Sequence, residues 1–212
     1  MFGPPGAGKG TQSETLVKKF NLYKISTGDL LRDEIKKKTA LGNKIKIIID
    51  QGQLVSDEII NNLIEGLLLA KEYYNRCIFD GYPRTLNQAK NLDNLIHKHN
   101  QKISLVLSLN VDEETIIKRI LGRQICSKCG LIFNEFFNPA INKNHTCDSK
   151  FLQKRSDDTK ETLSNRFKTY SKETLPILNY YRKQGLLSEI DGKGDIHQIY
   201  KEIHQIIDSL DT

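Results

Sequence analysis

Gly3-Pro-Pro-Gly-Ala-Gly-Lys-Gly-Thr11 opens this chain and decides how the rest of it reads. Gly3 and Gly8 bracket four residues, and Lys9, Gly10 and Thr11 follow at once. Glycines let a backbone turn so that several N–H groups point into one hollow, a natural seat for anionic phosphate oxygens. Lys9 adds a full positive charge there. Thr11 brings a hydroxyl that reaches a phosphate or a magnesium ion. Residues 11–20 carry a helical pattern, so the positive end of a helix dipole falls on the same spot. A Gly-rich turn that binds nothing is the plain alternative, and Gly-Lys-Gly-Thr directly before a helix tells against it.

A loop of this kind sits between a buried strand and a helix, so strands and helices are expected to alternate outward from it. Residues 76–80 and 103–111 are apolar runs that read as buried strands, with 186–190 a weaker third. Helical periodicity covers 57–73, 86–99 and 112–121, and resumes from 160 to the end, with Ser56 and Thr85 as N-caps. The fold class is α/β with a central parallel sheet. Only Met1 and Phe2 precede the loop, so residues upstream are expected to be missing from this sequence.

Two segments break the alternation. Residues 26–55 hold helices without a convincing strand. Residues 122–158 are rich in Asn, Lys, Cys and turn residues, with Phe133, Phe136 and Phe137 close together, as suits a lid or binding loop.

The net charge is +6, with 38% hydrophobic and 27% charged residues, as in a soluble globular protein. No apolar run reaches the length of a membrane span. No basic block with interleaved aromatics suggests a nucleic-acid groove. Four cysteines are too few for a disulfide scaffold at this length, and Cys77 reads as a core thiol. No signal peptide is visible, and a cytoplasmic monomer is expected.

Further chemistry lies in four places. Thr27 and Arg32 sit at a capped helix start, a hydroxyl and a cation for a second phosphate-bearing ligand. Asp80-Gly-Tyr-Pro-Arg84 closes a buried strand, at the end where open α/β sheets bind ligands. There Asp80 suits a water-mediated magnesium contact, Gly81 a close approach of ligand to backbone, and Arg84 a phosphate grip. Gln88 shares a helix face with Arg84 and can read a base edge. Arg119 and Arg123 end a helix, while Arg155 and Arg166 flank Asp157 and Asp158. Four arginines framing one polar insert are the inventory of phosphoryl transfer.

These motifs, in this order, resemble the adenylate kinases with a long lid. The resemblance covers the whole chain. It implies transfer of the ATP γ-phosphate to AMP, giving two ADP, with Mg²⁺. It also implies a core with a five-stranded parallel sheet (1–25, 56–121 and 159–212), an AMP-binding lobe (26–55) and a lid (122–158). Gly6, Ala7, Gly8, Lys9, Gly10 and Thr11, with Arg119, Arg123, Ile132, Phe133 and Gly194, would bind ATP. Thr27, Arg32, Gln53, Leu54, Val55, Gly81, Arg84, Gln88, Arg155 and Arg166 would bind AMP. Lys9, Arg84, Arg119, Arg123, Arg155 and Arg166 would be the catalytic cations, and no general base is needed because the AMP phosphate is already ionised. Thr27 and Gln88 favour AMP over pyrimidine monophosphates as acceptor, and Arg155 and Thr27 favour ATP over GTP as donor. A GTP-dependent AMP kinase and a nucleotide sensor without turnover are the competing readings.

Cys126-Ser-Lys-Cys129 is half of a metal knuckle, and Cys147 follows with seventeen residues between. Some adenylate kinases bind Zn²⁺ at such a place with a second Cys-x-x-Cys or Cys-x-x-Asp. Here Lys150 occupies the fourth position, and an ammonium cannot ligate. Asp148 or His145 is the replacement to expect if zinc binds. A degenerate site held by packing and hydrogen bonds is the reading that Lys150 favours.

Overall fold

Strand pairing in parallel organises the centre of the molecule, seen in a computed structural model that describes residues 1–68, 70–143 and 145–210. In chain order the elements are α1 (Lys9–Phe20), β1 (Tyr23–Ser26), α2 (Thr27–Lys36), α3 (Ala40–Asp50), α4 (Asp57–Leu68), β2 (Cys77–Asp80), α5 (Leu86–Lys98), β3 (Val106–Asn110), α6 (Glu113–Leu121), β4 (Arg123–Cys126), β5 (Ile132–Asn134), β6 (Leu152–Gln153), α7 (Lys160–Thr169), α8 (Leu175–Lys183), β7 (Leu187–Asp191) and α9 (Ile196–Asp208). β1 pairs with β2 so that Ser26 lies beside Asp80, and β3 pairs with β7 so that Asn110 lies beside Asp191.

Met1 and Phe2 fill the gap between the two pairs. The Met1 amine donates to Phe79 O at 2.7 Å, and Phe2 bridges to Ser108 with Phe2 N to Leu107 O at 2.6 Å. The expected five-stranded sheet is split among the described residues: two parallel pairs, with Phe2 bridging to Ser108 in place of a fifth strand. The first expected strand is right, at Cys77–Asp80. The second begins later than expected, at Val106.

β1 lacks a sequence signal because only Ile25 of its four residues is buried. The helical stretch after residue 160 breaks where Pro176, at the start of α8, has no N–H to continue the ladder. One π-helical turn, Tyr170–Thr174, takes up the mismatch. Thr85 caps α5 by accepting from Gln88 N at 3.1 Å, and Ser26 caps α2 by accepting from Asp29 N at 3.3 Å.

The core lies on both faces of the strands. Ile25, Ile45, Ile60, Ile64, Tyr82 and Leu92 pack on one side, and Ala7, Leu16, Leu109, Ile190 and Ile203 on the other. Each such aliphatic side chain contributes roughly 1.5–3 kcal/mol by leaving water. β4, flanked by β5 and β6, forms an antiparallel sheet within 122–158, with its own small core of Cys126, Phe133 and Ala140. The loop 3–8 and the carboxyl ends of β1 and β2 therefore open toward the same space as the 122–158 insert.

Candidate functional site

Gly8 shows why the opening loop needs glycine. It precedes α1 with φ of 99°, and a Cβ there would meet nothing within 4 Å, so it faces open space. That space is a cavity of about 490 Å³. Gly6, Ala7, Gly8, Lys9, Gly10, Thr11, Arg32, Leu54, Asp80, Gly81, Arg84, Arg119, Arg123, Ile132, Phe133, Arg155, Arg166 and Gly194 all line it. Residues more than 180 positions apart in sequence thus meet around one volume.

Thr27, Gln53, Val55 and Gln88 are not on its wall. Thr27 is buried and donates to Gly81 O at 2.7 Å. The Gln88 amide is engaged inside the protein: its oxygen accepts from Arg84 N at 2.7 Å and its nitrogen donates to Asp57 at 2.6 Å.

The cations hold distinct states. Lys9 folds back on its own loop, with Nζ donating to Gly3 O at 2.7 Å and Pro4 O at 3.0 Å. Burial, then the charges of Arg84, Arg123 and Arg166, pull its pKa down to about 8, against a partial rise from Asp80. Arg84 donates from Nε to Gly81 O at 2.7 Å, and burial lowers its pKa. Arg166 is ion-paired with Asp157, and Arg123 is held in bidentate fashion by Asp158, with Nε at 2.7 Å from Oδ2. Arg155 has a buried Nε with no partner. Burial and the neighbouring arginines pull Arg155 to about 9 and Arg166 to about 10. A cavity that depresses cations by burial and mutual repulsion is one that an anion relieves.

Several wall residues carry no sequence signal of their own. Phe137 stands under the Arg119 guanidinium at 5.7 Å from its ring centre, while Arg119 also donates to Ala7 O at 3.3 Å. The aromatic cluster 133–137 is visible in sequence, but this stacking is not. Gln12, buried in the first turn of α1, donates to Ile196 O at 3.0 Å and so ties the loop's helix to the turn carrying Gly194. That bond joins residues too far apart for any local pattern to show it.

A second cluster lies in the insert. Ligand atoms of Cys126, Cys129, His145 and Cys147 all lie within 4.8 Å of one another. Cys129 Sγ and His145 Nε2 are 3.5 Å apart, and the His145 ring packs on Phe133. Asp148 is not in this group, a correction to its expected place: its carboxylate accepts from Lys150 N at 2.9 Å and lies 3.5 Å from Lys150 Nζ. Asp148 is bound up with Lys150, and His145 is the fourth residue that lies with the three thiols. Burial would raise the Cys126 thiol, yet the amides of Cys129 and Lys128, then the Cys129 and His145 side chains, outweigh it and pull it down. Burial and the adjoining Cys126 and Cys129 sulfurs push Cys147 up.

The chain matches the family model described as adenylate kinase over residues 1–186. It is 47% identical over 207 residues to an adenylate kinase of Pelagibacter ubique, covering 98% of this chain and 97% of that one. It is 42% identical over 212 residues to an adenylate kinase of Petrotoga mobilis and 40% identical over 212 residues to one of Archaeoglobus fulgidus, each alignment covering 99% of this chain and 97% of the relative.

Proposed function

The chain belongs to the adenylate kinase family and is an ATP:AMP phosphotransferase, moving the ATP γ-phosphate reversibly to AMP to give two ADP; we propose that the basic cavity is where it does so. In this reading the N–H groups of residues 6–11 cradle the ATP phosphates, and Arg119, Ile132, Phe133 and Gly194 hold its nucleoside. Arg32, Leu54, Gly81 and Arg84 hold AMP, with Thr27 and Val55 behind them. Gln88 has one amide N–H and one oxygen lone pair left over from its bonds to Asp57 and Arg84 N with which to read the AMP base. Segment 26–55 is the AMP lobe, 122–158 the lid, and the remainder the core.

One observation supports the reading above the rest: Lys9, Arg32, Arg84, Arg119, Arg123, Arg155 and Arg166 are among the basic residues that line a single cavity beside a glycine loop. Phosphoryl transfer asks the protein for position and for positive charge on the equatorial oxygens, with little covalent chemistry. The AMP phosphate is an ionised nucleophile at neutral pH. Lys9 and Arg123 are suited to the donor side, Arg84 and Arg166 to the acceptor side, and Arg155 to the oxygen shared between them.

Magnesium fits this wall. A Cβ added to Gly10 would stand 3.5 Å from Asp80 Oδ2, so a carboxylate lies near the first turn of α1, which carries Thr11. Magnesium, when bound, would neutralise charge on the β- and γ-phosphate groups. Asp80 and Thr11 are the residues that would hold it.

The lid quartet suits zinc. Three thiols and an imidazole are a structural zinc donor set, and tetrahedral zinc with ~2.3 Å sulfur bonds needs sulfurs about 3.8 Å apart. The spread of at most 4.8 Å is close to that. Position 150 therefore does not decide the matter, because His145 supplies the fourth donor.

A coupled assay for ADP with ATP and AMP tests the reading, with GTP as second donor and CMP and UMP as second acceptors. ADP formation with ATP and AMP preferred supports it. No ADP from well-folded protein refutes it.

A further inference from the structure

The end of α3 poses an accounting problem that α7 solves. Gly52 turns the chain with φ of 71°, and behind it Gly52 N donates to Ile49 O at 2.9 Å and Gln53 N to Ile48 O at 3.1 Å. With Gln51 N on Ile47 O at 3.2 Å, the carbonyls of residues 47–49 are used. The Asp50, Gln51 and Gly52 carbonyls lie beyond the reach of the helix's own N–H groups. All three are met from one face of α7. Thr162 Oγ1 donates to Asp50 O at 3.0 Å, Asn165 Nδ2 to Gln51 O at 3.3 Å, and Thr169 Oγ1 approaches Gly52 O at 3.4 Å. Positions three and four apart place these side chains in a row.

The limbs are unequal. The Thr169 hydroxyl has one proton and a nearer acceptor, Asn165 O at 2.9 Å, so Thr162 and Asn165 carry the contact. Thr162 is buried, and its oxygen is oriented by the Thr159 hydroxyl at 3.0 Å. The approach is close as well: a Cβ on Gly52 would lie 2.9 Å from Thr162 O.

Arg166, on the cavity wall, follows Asn165 directly, and Leu54, also on the wall, follows Gly52 by two residues. We propose that Thr162 and Asn165 are positioning residues for the acceptor: they strap the end of α3, and the 52–55 backbone after it, to the helix that carries Arg166. The proposal rests on the reading of this cavity as the active site. Loosening the strap lets the 52–55 segment move relative to Arg166 and weakens capture of AMP. The donor side, built from residues 3–8, Arg119 and the Gly194 turn, shares none of these bonds.

The test is steady-state kinetics of Thr162→Val, Thr162→Ser and Asn165→Ala beside the unaltered protein, varying AMP at saturating ATP and then the reverse. Loss of one hydrogen bond corresponds to about 3- to 10-fold in KM for AMP. Thr162→Val and Asn165→Ala are each expected to show it, with KM for ATP within about twofold and Thr162→Ser close to normal. An unchanged KM for AMP, a parallel rise in KM for ATP, or failure of serine to rescue would overturn the strap. If Thr162→Val does not fold, Asn165→Ala decides alone, since Asn165 is exposed and alanine favours a helix. No ADP from the unaltered protein would sink the strap and the active-site reading together. A normal unaltered enzyme with indifferent variants would sink the strap only.

Discussion

Arg84→Ala is expected to cripple turnover and leave stability almost unchanged, and both halves follow from what Arg84 touches. Its guanidinium makes one intramolecular hydrogen bond, Nε to Gly81 O at 2.7 Å. Truncation does not orphan that carbonyl, because Thr27 Oγ1 also donates to it at 2.7 Å. The loss is therefore that of one satisfied bond, about 0.5–1.5 kcal/mol. Against it stands relief of desolvation and of repulsion with Lys9 and Arg32, itself partly offset by the lost attraction of Asp80. The two effects oppose, and the net change in unfolding free energy is expected within about 1 kcal/mol of zero. Turnover has no such compensation. Removing one charged donor from a dry site that stabilises developing charge costs about 10²–10³ in kcat, or ~2.7–4 kcal/mol. Chemical denaturation and initial-rate assays on the same preparation check the pair. Arg84→Lys should fall between, keeping the charge and losing the planar fork. A kcat within tenfold of normal, or a stability loss above about 3 kcal/mol, would refute the reasoning.

Lys9 titrates at about 8 in the folded chain against an ordinary 10.5. Between those values the unfolded chain binds more protons, so Lys9 makes stability rise with pH across that window, and its cost to folding is fully present below it. A bound triphosphate restores the cation, so ATP binding at pH 9 is expected to take up a fraction of a proton, read from calorimetry in buffers of different ionisation heat; release of protons would contradict this. Metal analysis of protein purified without chelator should give about one zinc per chain, and Cys129→Ser should lower both metal content and melting temperature; a metal-free protein indifferent to that change would leave Cys126, Cys129, His145 and Cys147 as plain thiols and imidazole. A bisubstrate analogue joining two adenosines through phosphates should compact the molecule in small-angle scattering as 122–158 closes on the cavity; an unchanged radius of gyration would argue against a mobile lid.

What was legible in the sequence was what is local. Glycines, a lysine and a threonine within nine residues specify the loop, because its chemistry is backbone geometry that glycine alone permits. Arg84 was legible because it follows a buried strand by four residues. β1 was not, because a four-residue strand burying one side chain has no periodicity to read. The cluster of three thiols and an imidazole was half legible. Cys126 and Cys129 have the spacing of a knuckle, but the fourth donor comes from two residues before Cys147 rather than three after it, and a turn held by Asp148 and Lys150 makes that choice. Gln12 to Ile196 and Thr162 to Asp50 were illegible in principle, since each joins segments more than a hundred residues apart through single bonds.

The state of the cations shows how the cavity stays folded while holding so much positive charge. Asp158 neutralises Arg123 and Asp157 neutralises Arg166, and both aspartates are buried. Lys9 is held by two carbonyls of its own loop. These partners sit on the segment leading into α7 or on the loop itself, so each is in place before any ligand arrives. Arg155 differs, with an Nε that is buried and unpartnered. Burial lowers its pKa most, then the charges of Arg123 and Arg32, against a partial rise from Asp158 and Asp29. Such a group costs stability in the free protein, and an anion placed against it would return part of that cost. A ligand that reaches it should stabilise the chain by more than its contacts with the paired arginines alone would give, over and above the mass-action gain of about 2.7 kcal/mol at a hundredfold excess over Kd.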